Sequence, residues 1–157
     1  ASYKEALEIY RSISPESRDV ANALNFLASA EKDIKDYPAA ERDYREALRI
    51  AKNNNYQEGI AAYTGRYADL ALDREQWAEA ESLAHEALTL AEKVGRQELI
   101  ASDCHRLAKA LLKQNRNLDE ALSMSRRAVE IFTRLRVQDD VQSAQETLGE
   151  IEKAIHE

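Results

Sequence analysis

Cys104 and His105 are the adjacent residues best equipped to do chemistry, a thiol next to an imidazole. A working nucleophile and base must lie within hydrogen-bond reach of each other. Neighbouring residues on a helix point about 100° apart, so these side chains diverge. Cys104 is therefore expected to pack in a core, the usual fate of a free cysteine. His85, His105 and His156 lie in separate stretches with no metal-ligand spacing, and no glycine-rich loop is present to cradle a phosphate. Asp139-Asp140 reads as a helix start, where carboxylates offset the positive end of the dipole. The expectation is a protein that is not an enzyme and needs no metal or cofactor.

Composition then bounds the scaffold. The chain has 157 residues, enough for one domain, with only Gly 4 and Pro 2 against 44% hydrophobic and 32% charged residues. That balance fits a helical protein. A formal net charge of -7 disfavours a nucleic-acid binder, which needs clustered cations to displace counterions. No apolar run approaches the roughly 20 residues of a membrane-spanning helix. A single cysteine suits a reducing compartment, so a cytoplasmic location is expected.

Self-similarity organises the whole chain. Segments beginning at Tyr3, Tyr37, Trp77 and Leu118 share an Ala three residues on; their starts are spaced by 34, 40 and 41 residues. A second set alternates with them and carries the large–small pairs Leu27-Ala28, Tyr67-Ala68, Leu107-Ala108 and Leu148-Gly149. Two helix types thus alternate, and the unit is a helical hairpin that must stack to bury its apolar face. Helices are expected over 2–13, 15–34, 37–53, 56–73, 77–94, 97–114, 118–135 and 138–155. Their punctuation is Ser14-Pro15 as an N-cap and first helical proline, Asp36 as an N-cap, Asn53-Asn54-Asn55 as a break and Gly95 as a left-handed C-cap. Ala47, Ala80 and Ala87 recur at one offset and are expected to be buried where helices approach closely.

This pattern resembles the tetratricopeptide repeat along essentially the whole chain. In that family a Leu-Gly or Leu-Ala pair marks the first helix, an aromatic opens the second, and small residues follow. Leu27-Ala28, Tyr37, Ala40 and Ala47 fill those places, as do Tyr67-Ala68, Trp77, Ala80 and Ala87, and Leu107-Ala108, Leu118, Ala121 and Ala128. The longer period is similar to the subclass in kinesin light chains, cell-polarity scaffolds and the repeat tails of bacterial signalling ATPases. The resemblance implies an all-α, right-handed superhelical solenoid of antiparallel hairpins. It also implies a single repeat domain over 1–157: a second-type half repeat at 1–14, full repeats at 15–53, 56–94 and 97–135, and a capping helix at 138–155.

The resemblance further implies that first-type helices line a concave groove that binds a protein or peptide. Counted from the Leu-Ala pair, the groove residues are Asn22, Asn25, Ser29 and Asp33, then Ala62, Gly65, Arg66, Asp69 and Asp73, then Ser102, His105, Arg106, Lys109 and Lys113. Their character runs from neutral through mixed to cationic, which suits an acidic segment. Some family members clamp a terminal carboxylate, and Arg106 matches the clamp arginine. Asn25, Ser29 and Ser102 stand where Lys, Asn and Lys belong, so that clamp is not expected. The competing reading is a structural self-association module without a separate ligand.

The ends differ. Val141, Ala144, Leu148, Ile151 and Ile155 give the last helix one apolar face, as a cap requires, whereas Tyr3, Ala6, Leu7, Ile9, Tyr10 and Ile13 spread around the first. The chain is expected to be the C-terminal part of a longer protein, for which the resemblance implies the interaction tail of a signalling protein, with weak head-to-tail association at the bare N-terminal face.

Overall fold

The computed structural model describes residues 2–157, and among them every regular element is an α-helix. The order is α1 (Tyr3–Ile13), α2 (Arg18–Asp33), α3 (Tyr37–Asn53), α4 (Gln57–Asp73), α5 (Trp77–Val94), α6 (Gln97–Gln114), α7 (Leu118–Leu135) and α8 (Gln138–Ile155). Each helix packs antiparallel against its successor. The even-numbered helices also approach closely in series, α2 on α4, α4 on α6 and α6 on α8, while the odd-numbered ones meet through long side chains, as where Arg127 Nη2 of α7 donates to Glu92 Oε2 of α5 at 3.3 Å. The even row is therefore the tighter one, and the solenoid bends toward it.

Alanine makes that spacing attainable. Ala28, Ala40, Ala47, Ala68, Ala80, Ala87, Ala108, Ala121 and Ala128 are all fully buried, so backbones approach while Leu24, Tyr44, Ile50, Leu107 and Leu111 fill the adjoining space. Cys104 is buried in the largest apolar cluster, with Leu107, Ala108 and Ile131, and burial pushes its thiol up to about 11. It is a packing residue.

One closure recurs at six junctions. The backbone N–H groups of Asp36, Tyr56, Gln76, Arg96, Arg116 and Val137 return to the carbonyls of Glu31, Ala51, Ala71, Ala91, Leu111 and Phe132, satisfying groups that a helix end leaves open. A residue with positive φ makes each turn: Lys35, Asn55, Glu75, Gly95, Asn115 and Arg136. Gly95 and Asn55 were legible as breaks. Lys35, Glu75 and Arg136 were not, since each adopts a left-handed conformation that its residue type ordinarily disfavours by about 1–2 kcal/mol.

The expected start of α2 is corrected. Ser14 closes α1, its N–H donating to the Tyr10 carbonyl, and Ser17 Oγ accepts from the Val20 N–H as the true N-cap. The Ser17 N–H donates to the Ser14 carbonyl at 3.2 Å. Pro15 and Glu16 thus lie in a turn, and the helix begins three residues later than the proline implied.

Candidate functional site

The 40-residue offset places the groove residues in rows across α2, α4 and α6. Asn22, Ala62 and Ser102 form one row; Asn25, Gly65 and His105 the next; then Phe26, Arg66 and Arg106; Ser29, Asp69 and Lys109; and Asp33, Asp73 and Lys113. Phe26 was not among the expected residues. It is 44% exposed and stacks on Tyr3 with ring centroids 5.7 Å apart. Its row position beside two arginines was the signal that could have found it.

Between α4 and α6 the groove floor is closed by an ion network. Arg106 Nε and Nη2 donate to the two carboxylate oxygens of Asp69 at 2.7 and 2.9 Å, and Nη1 donates to Asp103 Oδ1 at 2.7 Å. The Arg106 side chain is only 15% exposed and that of Asp103 1%. Burial works against the Arg106 charge, yet the two carboxylates outweigh it and hold the guanidinium above its ordinary pKa. Burial likewise pushes Asp69 up, but Arg106 more than reverses that, while Asp103 ends raised to about 6. Gly65 makes room: a Cβ there would stand 2.6 Å from Arg106 Nη1 and 2.7 Å from Asp103 Oδ1.

This corrects the expected cationic cluster at His105, Arg106, Lys109 and Lys113. Arg106 is consumed by two acids of its own chain. Burial, aided by the charges of Lys109 and Arg106, lowers His105 to about 4, so its ring is neutral at pH 7. Its Nδ1 has no partner and sits by a small recess of about 180 Å³ with Asp69, Ser102 and Lys109. Lys113 lies with Nζ 5.8 Å from the centre of the Trp77 ring. Lys109 is the member left facing the groove without an ion pair among the described residues.

Between α2 and α4 the same positions are differently filled. The acids that capture Arg106 correspond one repeat earlier to Ser29 and Tyr63. Ser29 Oγ is bonded to the Tyr44 hydroxyl at 2.8 Å and donates to the Asn25 carbonyl. The Tyr63 hydroxyl donates to Asn22 Oδ1, and burial pushes that phenol's pKa above its usual range. Arg66 therefore has no acid at either matching place, is exposed, and makes no ion pair or hydrogen bond among the described residues, although its charge helps to lower Asp69. Asn25 is 4% exposed, and its Oδ1 accepts nothing. Both line a cleft of about 310 Å³ together with Asn22, Phe26, Ala62 and Leu99, and with Glu58 and Glu98, whose carboxylates are held by Arg96. Asp73, farther along, accepts from the Tyr37 hydroxyl at 3.4 Å, and Asp33 is exposed beside Lys32.

The arrangement offers a buried amide oxygen that needs a donor, a cation that needs an anion, and apolar surface between them. Among the described residues no three metal-ligating side chains converge, and no helix is long and apolar enough to cross a membrane.

A family model described as tetratricopeptide repeat matches residues 1–53. A comparison with curated proteins gave no match. Among solved structures, the crystal structure of BtubC (BKLC) from P. vanneervenii is similar with a TM-score of 0.79 and 23% identity; the similarity covers 95% of this chain and 62% of that one. The chain thus spans less than two thirds of that neighbour, and at this identity the likeness shows the fold, a helical solenoid, and nothing of the ligand.

Proposed function

We propose that this chain, built of tetratricopeptide repeats, is a binding module whose α2–α4–α6 groove takes an extended acidic polypeptide segment. Repeats of this family generally mediate protein–protein interaction or scaffolding. The observation that carries the finer reading is the contrast between two equivalent arginines. Arg106 is held by Asp69 and Asp103, whereas Arg66 has Ser29 and Tyr63 at the matching places and remains available. A carboxylate on a bound segment would complete at Arg66 the pairing that Asp69 completes at Arg106. A backbone N–H of the same segment would satisfy Asn25 Oδ1, and an apolar side chain would lie against Phe26 and Leu99. Asn22, Ser29, Asp69, Asp73, Ser102, His105, Arg106 and Lys113 then shape the groove, while Lys109 adds a second cation one helix along.

The test is selection of peptides from a random displayed library on the wild-type chain, followed by binding to Arg66→Glu. Enrichment of acidic peptides that lose at least tenfold in affinity on Arg66→Glu supports the reading. Selected peptides that bind the variant equally well overturn it.

A second reading, self-association, is supported by α1, where Ile9, Tyr10 and Ile13 are exposed. Aligned on α3 they match Asp43, Tyr44 and Ala47, all buried. Head-to-tail stacking on α8 is disfavoured, because the side of α8 that would face another helix carries Gln142, Gln145 and Glu152, all exposed. Sedimentation across a concentration series separates the readings: a strict monomer leaves the peptide module standing alone.

A further inference from the structure

Repeat register exposes one place where the first hairpin departs from the other two. Position 31 of α2 corresponds to Ala71 of α4 and Leu111 of α6; position 43 of α3 corresponds to Leu83 of α5 and Met124 of α7. In the second hairpin Ala71 and Leu83 belong to one apolar cluster, and in the third Leu111 and Met124 belong to another. The first hairpin puts Glu31 and Asp43 into this seam, 7% and 5% exposed. Two carboxyl groups now occupy a site that the scaffold elsewhere fills with hydrocarbon.

Their compensation is incomplete. Arg42 Nε and Nη2 donate to Asp43 at 3.0 and 3.3 Å. Arg42 Nη2 stands 3.8 Å from Glu31 Oε2, with its own side chain 69% exposed. Glu31 Oε1 has no partner. Burial first, then the hydrogen bond to Asp43 and that residue's charge, push the Glu31 carboxyl up to about 7, with Asp36 adding to the effect and Arg42 opposing it. From α1, Lys4, Glu8 and Arg11 line the same cleft as Arg42 and Asp43. Of the charges that α4 and its C-cap bring to this hairpin, Asp73 and Arg74 engage Tyr37 and Glu41, while Asp69 and Arg66 act on Tyr44.

We infer that Glu31 and Asp43 form a proton-operated latch on the α2–α3 hairpin. With one proton between them, the carboxyls hydrogen-bond across the seam and the hairpin is closed. When that proton leaves to solvent, two like charges face each other in a poorly hydrated gap, and Glu31 must turn outward. The groove wall shares the seam, since the Ser29–Tyr44 bond spans the same two helices and Ser29 holds the Asn25 carbonyl. The latch itself stands whether or not the groove takes a ligand.

The sign follows from linkage. Folding raises the Glu31 pKa from 4.5 to about 7, so the folded state binds more protons between those values. The contribution is full below about 4.5 and is lost as pH rises toward 7 and beyond.

The test is thermal unfolding of the full chain at pH 5.5 and 8.5, for wild type and Glu31→Gln, with a carbon-13 titration of the Glu31 carboxyl. Relative to the variant, the wild-type midpoint should fall by about 3–6 °C between the two pH values, and Glu31 should titrate near neutrality. A second variant guards against a misfolded first: Glu31→Ala with Asp43→Leu copies the seam of the second hairpin and should melt above wild type at pH 8.5. Amide exchange at Asp36, whose N–H donates to the Glu31 carbonyl at 2.8 Å, should quicken several-fold at high pH in wild type only, after correction for intrinsic rates. Parallel wild-type and variant curves, or a Glu31 carboxyl titrating in the ordinary range, overturn the latch.

Discussion

The α2–α4 and α4–α6 steps of the groove have one scaffold and opposite electrostatic states. At the second step an arginine is neutralised by the chain itself, and a glycine is spent in mid-helix to make room for it. At the first step the matching arginine is solvent-facing and a neighbouring amide oxygen is bare. In a repeat array the backbone supplies equivalent positions, and whether a position binds a ligand or only holds the array together depends on the residues one turn and one repeat away. Charge read along a single helix is therefore a poor guide to what a groove can bind.

The largest expected effect comes from breaking the closed step. Arg106→Glu removes the cation that, among the described residues, pairs with both Asp69 and Asp103 and leaves buried carboxylates facing a third. Loss of one partner from a buried ion pair typically costs about 3–5 kcal/mol. Urea denaturation should show that loss, and an unchanged midpoint would mean that the network does not stabilise the fold. Next comes Gly65→Val. Helix propensity changes little on this replacement, but the side chain would occupy the space of Arg106 Nη1 and Asp103 Oδ1. Overpacking plus a strained ion pair should cost about 2–3 kcal/mol, and an Arg106→Ala background should relieve part of it. A fully additive double variant would show that Gly65 and Arg106 are not coupled.

Much of the scaffold was legible because its signals are local and repeated. Leu27-Ala28, Tyr67-Ala68 and Leu107-Ala108 mark the even helices, and Ala47, Ala80 and Ala87 occupy the tight contacts. Ser14 read as the N-cap of α2 because a proline follows it, but Ser17 acts, since the path of the turn between the two serines decides the start. The site was less legible. Asp69 and Arg106 are separated by 37 residues, and their pairing depends on side-chain reach between helices, which position in the repeat alone does not give. Glu31 and Asp43 were not among the expected features, because acids on a helix read as a solvated face, and their burial is evident only once α2 and α3 are docked.

A smaller effect is expected from pH at the closed step. Folding depresses His105 from 6.5 to about 4 through burial and the adjacent Lys109 and Arg106 charges. Between those values the unfolded chain binds more protons. This residue's contribution is full above about 6.5 and is lost as pH falls toward 4. Asp103, raised from 3.8 to about 6 by burial, acts with the opposite sign and partly offsets it. The histidine is isolated by comparing wild type with His105→Gln: the difference in unfolding free energy should shrink by about 1–2 kcal/mol from pH 7 to pH 4.5. A constant difference would place His105 in a more hydrated setting.

The smallest expected effect on stability is the one that bears most on function. Arg66 is exposed and pairs with nothing among the described residues, so Arg66→Glu should shift unfolding by no more than about 0.5 kcal/mol, the range for exposed substitutions without special partners. Set beside Arg106→Glu, the same chemical change at equivalent positions should differ several-fold in its cost. Binding should reverse the order. Arg66→Glu should abolish capture of acidic peptides selected on the wild-type chain, while Arg66→Lys, which keeps the charge but loses the planar fork, should retain part of it. If Arg66→Glu destabilises the chain as much as Arg106→Glu does, Arg66 is a structural cation whose partner forms in solution, and the difference between the two steps disappears. If it neither destabilises nor weakens binding, the open arginine is a solvated side chain, and recognition must move to Lys109 or out of the groove.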